Sequence, residues 1–360
     1  MKKLLILLAV LLMLTCTAAA YEIPTDFTDR TLEDVVTEFR EAYGMTEQNF
    51  SLCYYNTVTG EEYAFNDTWF SIAASTYKLP LNMYFYEMQQ AGEITGDTKI
   101  TWTGQTLDYI HEQSIVNSNN ELSEALMYYW GDHVSYKQNM RKYFTMTDEE
   151  IHPSYWQANW YCTRMMMDCL KYLYENQENF EELIGYMKRA MPGQYFQRGV
   201  PDYEVAHKYG SVQVYNTDVG IIYTPEPYLL AVYTLGGSIG GDGICAEAAR
   251  LMTAYNLWQT AQNPPEPEEE EPEVVEMQVE QVEMLPAEEP EVPEEQPVEE
   301  PEPVMPEEAP VVEEPAVAPV VPAEPVETSQ SMMIWPVAVI GGTALLLLLT
   351  VLRLLKKKKS

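Results

Sequence analysis

The sequence is short of positive charge. Its 360 residues carry 21 Lys and Arg against 56 Asp and Glu, a formal charge of −35. Binding a polyanion needs a basic face, so nucleic acid is excluded as the main partner. The same shortage argues against docking of the main body on anionic lipid. Histidine and cysteine are scarce too, at four and five. No C-x-x-C pair occurs, and His111, His133, His152 and His207 are scattered, so no zinc site is expected. Gly236 to Gly243 lacks the strand–G-x-G-x-x-G–helix context of a nucleotide cradle, and no cofactor is expected.

What is present divides the chain. Lys2 and Lys3 precede an apolar run from Leu4 to Leu14, and Ala18-Ala19-Ala20 offers a small-residue cut before Tyr21. Residues 1–20 therefore have the pattern of a secretory signal peptide. Lipidation at Cys16 fits less well, because Thr15 stands where a smaller residue is expected. From Pro264 to Gln330 there are 23 Glu and 16 Pro, with no Lys, Arg or aromatic residue. Such a segment cannot bury enough apolar surface to offset its ordering entropy. The stretch 264–331 is expected to be a disordered, extended stalk, reaching at most roughly 200 Å at about 3.1 Å per residue. Met332 to Leu352 carries no charge over 21 residues and is followed by Arg353 and Lys356 to Lys359. That is long enough for one membrane crossing, with 353–360 as a basic cytoplasmic tail. The expected arrangement is a single-pass cell-membrane protein whose folded domain lies outside the cytoplasm.

The folded body, 21–263, holds 33 acidic and 14 basic residues. Thr31, Glu33 and Asp34 open an amphipathic helix to Tyr43. Strands are expected at Asn49–Asn56 and Glu62–Asn66. Helical patterns then run over Ser75–Gln90, Asn119–Trp130, His133–Tyr143, Thr163–Tyr174 and Phe180–Met191. Strand patterns follow at Glu204–Tyr209, Thr217–Thr224 and Pro227–Leu235, and a last helix covers Ile244–Trp258. This order implies an α+β fold: an antiparallel sheet of about five strands, flanked by terminal helices, plus an all-helical lobe. Cys162 and Cys169 are too far apart on one helix to bridge, at about 10 Å. Cys53 and Cys245 could meet if the last helix packs on the sheet, although small buried thiols are the simpler expectation. Met165-Met166-Met167 reads as helix core.

Three short motifs carry chemistry. Ser75-Thr76-Tyr77-Lys78 is S-x-x-K, whose i and i+3 positions share a helix face. Lys78 can thus stand beside the Ser75 hydroxyl and take its proton, provided burial lowers its pKa. Ser118-Asn119-Asn120 follows 43 residues after Ser75, and Lys208-Tyr209-Gly210 falls in the third strand block. In this order, within "FSIAASTYKLPL", "SNNELSEAL" and "VAHKYG", the motifs resemble the signature of the class A β-lactamase and penicillin-binding serine hydrolase superfamily. The resemblance spans about Thr31 to Trp258.

The resemblance implies roles. Ser75 would be the acylated nucleophile and Lys78 its base. Ser118 would relay a proton to the leaving amine. Asn120 would hydrogen-bond the substrate's side-chain amide, and Lys208 would face the substrate carboxylate. The backbone N–H groups of Ser75 and Ser211, the latter just past Gly210, would form the oxyanion hole. Three departures stand out. Asn119 replaces a mostly structural Asp. Tyr209 replaces a short Thr or Ser, so either Ser211 compensates for the lost hydroxyl or the pocket reads a different substrate. No Glu-x-x-Leu-Asn string occurs between Asn120 and Lys208, so the usual deacylation base is missing; Glu149 and Glu150 are the carboxylates in the corresponding stretch. His207 reads as structural or substrate-flanking.

The expected function is a monomeric serine hydrolase that opens β-lactams or related amides through an acyl-enzyme. Two alternatives remain open at this stage. One is a D-Ala-D-Ala peptidase or penicillin-binding relative, acting on a peptidoglycan-type peptide, that acylates but deacylates slowly. The other is a non-catalytic cell-wall binding or sensor module.

Overall fold

The computed structural model describes residues 21–262. The signal peptide, stalk, membrane helix and basic tail expected at 1–20, 264–331, 332–352 and 353–360 lie outside the described residues. Among the described residues no helix is long and apolar enough to cross a membrane.

Chain order begins with helix α1, Leu32–Tyr43, and strands β1, Phe50–Asn56, and β2, Glu62–Phe65. Thr31 and Asp34 close a reciprocal capping box at the start of α1, and Gly44 ends it with φ 70°, a left-handed position that suits glycine. A two-residue strand β3, Ser71–Ile72, leads into a 3₁₀ turn, Ala74–Tyr77, and then helix α2, Lys78–Gln90. The helical lobe continues with α3, Leu107–Ile115, α4, Asn120–Met127, α5, His133–Met140, and the short α6, Ser154–Gln157. Strand β4, Trp160–Tyr161, pairs back on β3. Next come α7, Thr163–Glu175, α8, Glu181–Lys188, and α9, Tyr195–Gly199. Three long strands follow, β5, Glu204–Val212, β6, Tyr215–Tyr223, and β7, Tyr228–Leu235, before the closing helix α10, Gly241–Gln262.

The main sheet is antiparallel with five strands in the order β2-β1-β7-β6-β5. It is buried on both faces, which is why β7 reads as a nearly unbroken apolar run. Successive β7 side chains alternate between two cores. Leu229, Ala231 and Tyr233 join the core under the helical lobe, whereas Tyr228, Leu230 and Val232 join the core beneath α1 and α10. Met165, Met166 and Met167 are buried in α7, as their spacing suggested.

The same alternation corrects the Cys53–Cys245 pairing. Cys53 belongs to the core under the helical lobe and Cys245 to the core on the opposite face, so the sheet separates them. All four described cysteines are free and buried.

Helix α7 is fixed to the sheet by polar as well as apolar contacts. The buried Thr163 hydroxyl lies 2.5 Å from Ser51 Oγ, and Cys53 Sγ donates to Thr163 Oγ1 at 3.4 Å. Replacing that hydroxyl by a methyl leaves a buried Ser51 oxygen without its partner. Thr163→Val is therefore expected to destabilise the domain by about 1–3 kcal/mol despite its matched shape; equilibrium urea unfolding measures this, and an unchanged midpoint would show that the contact carries no net stability.

Candidate active site

Strand β5 is an edge strand, and its outer side faces the Ala74–Tyr77 turn. The approach is close. A Cβ built on Gly210 would lie 2.6 Å from Ser75 N, 2.5 Å from Thr217 Oγ1 and 2.9 Å from Ala73 O, so only glycine fits there. The Tyr209 carbonyl accepts a hydrogen bond from Lys208 Nζ at 2.8 Å and therefore points outward from the sheet. Antiparallel pairing alternates with a period of two, so the backbone N–H of Ser211 points outward as well. This brings the Ser75 and Ser211 backbones into one neighbourhood, at the mouth where Ser75 and Ser211 line the same cavity.

The Ser75 turn departs from the expected regular helix start. Ser75 lies in the 3₁₀ turn, and α2 begins only at Lys78. Ala74 has φ 49°, a left-handed conformation that costs an alanine on the order of 1–3 kcal/mol. The surroundings hold it. Asn159 Nδ2 donates to Ala74 O at 2.7 Å, Ala73 N donates to Asn159 O at 3.0 Å, and Thr217 Oγ1 donates to Ala73 O at 2.9 Å. Asn159 and Thr217 thus position Ser75 from the helical lobe and from the sheet. No motif in the sequence marks either residue, because each acts through a backbone neighbour.

Lys78, Ser118, Asn120 and Lys208 converge behind Ser75. Lys78 Nζ donates to Ser118 O at 2.6 Å, Asn120 Oδ1 at 2.7 Å and Ser118 Oγ at 3.2 Å. Its bonds go to these groups and none to Ser75 Oγ, although Ser75 lies only three residues away. Lys208 Nζ reaches the same Ser118 Oγ from the other side, at 3.1 Å. Ser118 itself has φ 53°, a strained position for serine that the Lys78 bond to its carbonyl helps to hold. Asn119 caps α4 through Leu122 N at 3.0 Å, the structural role expected of it.

The electrostatics follow from burial. Burial lowers the Lys78 pKa to about 7, and the Glu124 carboxylate opposes the shift. Near neutral pH much of this amine is uncharged. Two of its N–H groups are then taken by the obligate acceptors Ser118 O and Asn120 Oδ1, which leaves one lone pair, in contact with the Ser118 hydroxyl at 3.2 Å, able to accept a serine proton. Burial, then the neighbouring Lys78, push Lys208 well down, with Asp218 opposing. Tyr209 is half-buried against Ser118, and its ring centroid is 4.0 Å from Lys208 Nζ. Burial raises its pKa and the Ser118 contact opposes this. The phenol therefore borders the site without lining the main cavity. His207 is structural: its Nδ1 pairs with Asp218 at 2.9 Å and its Nε2 donates to Ala190 O at 2.8 Å.

The cavity in front of Ser75 measures about 500 Å³ and is lined in part by Asn120, Glu124, Asn159 and Ser211. Glu149 and Glu150 do not line it. Both are exposed, and Glu150 accepts from Thr147 N at 2.7 Å, an interaction that lowers its pKa. They are removed as deacylation bases because their turn holds them at the surface. Glu124, which sequence reading passed over, is the carboxylate among the lining residues. Its only sequence signal is its position one helical turn after Asn120.

Comparison with known proteins agrees with the fold. The family described as "Beta-lactamase enzyme family" matches residues 30–258. A search of curated proteins returned no match. Among solved structures, a variant of the class A beta-lactamase of the last common ancestor of Gram-negative bacteria is similar at TM-score 0.53 and 18% identity, over 62% of this chain and 97% of that one. An ancestral class A beta-lactamase matches at TM-score 0.53 and 17% identity, over 62% of this chain and 100% of that one. A beta lactamase from Xanthomonas campestris pv. campestris matches at TM-score 0.50 and 16% identity, over 60% and 94%. Identities this low establish a shared fold.

The contact between β5 and the Ser75 turn leaves no room for a methyl group. Gly210→Ala should therefore displace the turn and lower the reactivity of Ser75 toward an acylating probe on the order of 10²-fold, as the loss of one backbone donor does elsewhere. Adduct formation followed by intact-mass spectrometry checks this, and wild-type reactivity in the variant would mean that the strand does not shape the nucleophile.

Proposed function

The chain belongs to the beta-lactamase enzyme family, and from that premise we propose that it is a serine hydrolase that forms an acyl-enzyme on Ser75 with β-lactams or related amides. The observation that carries this reading is the single Ser118 hydroxyl held 3.2 Å from Lys78 Nζ and 3.1 Å from Lys208 Nζ, directly behind the Ser75 turn.

In the proposed acylation, the neutral Lys78 amine takes the Ser75 proton as Ser75 Oγ bonds to the substrate carbonyl carbon. The oxyanion that develops is met by the N–H groups of Ser75 and Ser211. The carbon–nitrogen bond then breaks, and Ser118 gives its proton to the departing nitrogen while Lys78 restores it. Lys208 orients Ser118. An arriving substrate carboxylate would raise the Lys208 pKa again and so draw a positive charge to itself. Asn120 Nδ2, which has no protein acceptor among the described residues, is free to meet an amide carbonyl of the substrate.

Deacylation needs an activated water. The absence of the Glu-x-x-Leu-Asn pattern and the exposed positions of Glu149 and Glu150 favour a long-lived acyl-enzyme, as in the peptidase alternative. The Lys2-Lys3 leader, the apolar 332–352 run and the basic residues after it support a membrane tether that holds the domain outside the cytoplasm.

A fluorescent penicillin tests the proposal. It is expected to label the full chain covalently and to leave Ser75→Ala unlabelled. Labelling that persists in Ser75→Ala, or none in the unaltered chain at millimolar probe, would overturn it. Nitrocefin separates the two readings, with a stoichiometric burst for the slow acyl-enzyme and sustained turnover for an efficient lactamase.

A further inference from the structure

The cavity has two chemically different ends. At the β5 end stand Ser211 and, behind it, Lys208, groups suited to an anion. The α4 end holds Glu124. Asn120 and Glu124 are four residues apart on that helix and so share a face, and both line the cavity that reaches Ser75. The Glu124 carboxylate has no hydrogen-bond or ion-pair partner among the described residues. Lys78, whose amine feels the Glu124 charge, is committed to Ser118 and Asn120. No Lys or Arg lines the cavity. The wall around Glu124 is aromatic, with Tyr77, Tyr128 and Tyr136. Ring faces and an unpaired carboxylate together favour an ammonium ion. The body's 33 acidic and 14 basic residues add a long-range field of the same preference.

We propose that Glu124 makes the α4 end of the cavity a subsite for a cationic amine. The preferred substrate would be zwitterionic, with a carboxylate toward β5 and an ammonium group on the acyl side toward α4. A peptide-like amide with a free amine fits this description. The inference rests on the acyl-enzyme reading above and specifies which acyl groups that site accepts. His133, the imidazole of the wall, does not compete for the role: burial, then Lys137, push its pKa down.

Three penicillins with one nucleus and different acyl groups test the subsite: ampicillin carries an ammonium, benzylpenicillin is neutral and carbenicillin carries a second carboxylate. The second-order rate of Ser75 acylation is read by intact-mass spectrometry on the full chain. Ampicillin is expected to react fastest and carbenicillin slowest, with a ratio of about tenfold or more for charges held a few ångströms from a carboxylate. Glu124→Gln should shrink that ratio about tenfold, and Glu124→Lys should invert it. Both replacements are good helix formers at an exposed position, and circular dichroism verifies that they fold. A ratio indifferent to residue 124, or a Glu124→Gln protein in which all three rates fall together, would overturn the subsite. The absence of an adduct with every penicillin would overturn the acyl-enzyme reading and the subsite with it.

Discussion

Two amines are buried around one hydroxyl. Lys78 and Lys208 both reach Ser118 Oγ, from opposite sides, with almost no access to water. Burial penalises the charged form of each amine, and at Lys208 the neighbouring Lys78 adds to the penalty, so both pKa values fall. A lysine at the surface stays protonated far above neutral pH and cannot take a proton from serine. Pressed between the sheet and the helical lobe, the Lys78 amine is held near neutrality. The proposed chemistry depends on that burial.

The rest of the architecture makes the burial possible. The sheet is covered on both faces, and its edge strand β5 supplies Lys208, Gly210 and Ser211 along the rim of the site. Gly210 lets the strand approach the nucleophile turn, and the strained Ala74 and Ser118 are held by hydrogen bonds to Asn159 and Lys78. Of the six described non-glycine residues with positive φ, Ala74 and Ser118 flank the site, which fits a geometry set by its surroundings. The His207–Asp218 pair stiffens β5 and β6 from beneath, and Asp218 also accepts from Phe196 N at 3.0 Å.

Much of this was legible before the structure was described. The five strands stand where alternation and turn residues placed them, because a sheet buried on two faces leaves long apolar runs bounded by polar turns. Strand β5 runs three residues past its expected end at Tyr209, since Ser211 and Val212 are exposed and carry no apolar signal. The β3–β4 ribbon was missed because two-residue strands have no period to read. Ser75 and Lys78 were legible from their i, i+3 spacing, and Ser118, Asn120 and Lys208 from the family resemblance that the ordered motifs carry. Asn159 and Glu124 were not, since their significance lies in the neighbours that the fold brings to them. The Cys53–Cys245 pairing failed for a related reason: proximity to the sheet was readable, but the face was set by the register of β1.

The central claim is that Lys78 is a base near neutral pH. Below about 7 the protonated amine can accept nothing, so the proposed acylation should fade as pH falls through that value and be fully developed above it. The most direct measurement is an NMR titration of lysine ε-carbons in the isotope-labelled protein, with Lys78→Arg used to assign the signal. The account predicts a Lys78 midpoint near 7. A midpoint in the ordinary lysine range, around 10, would contradict it.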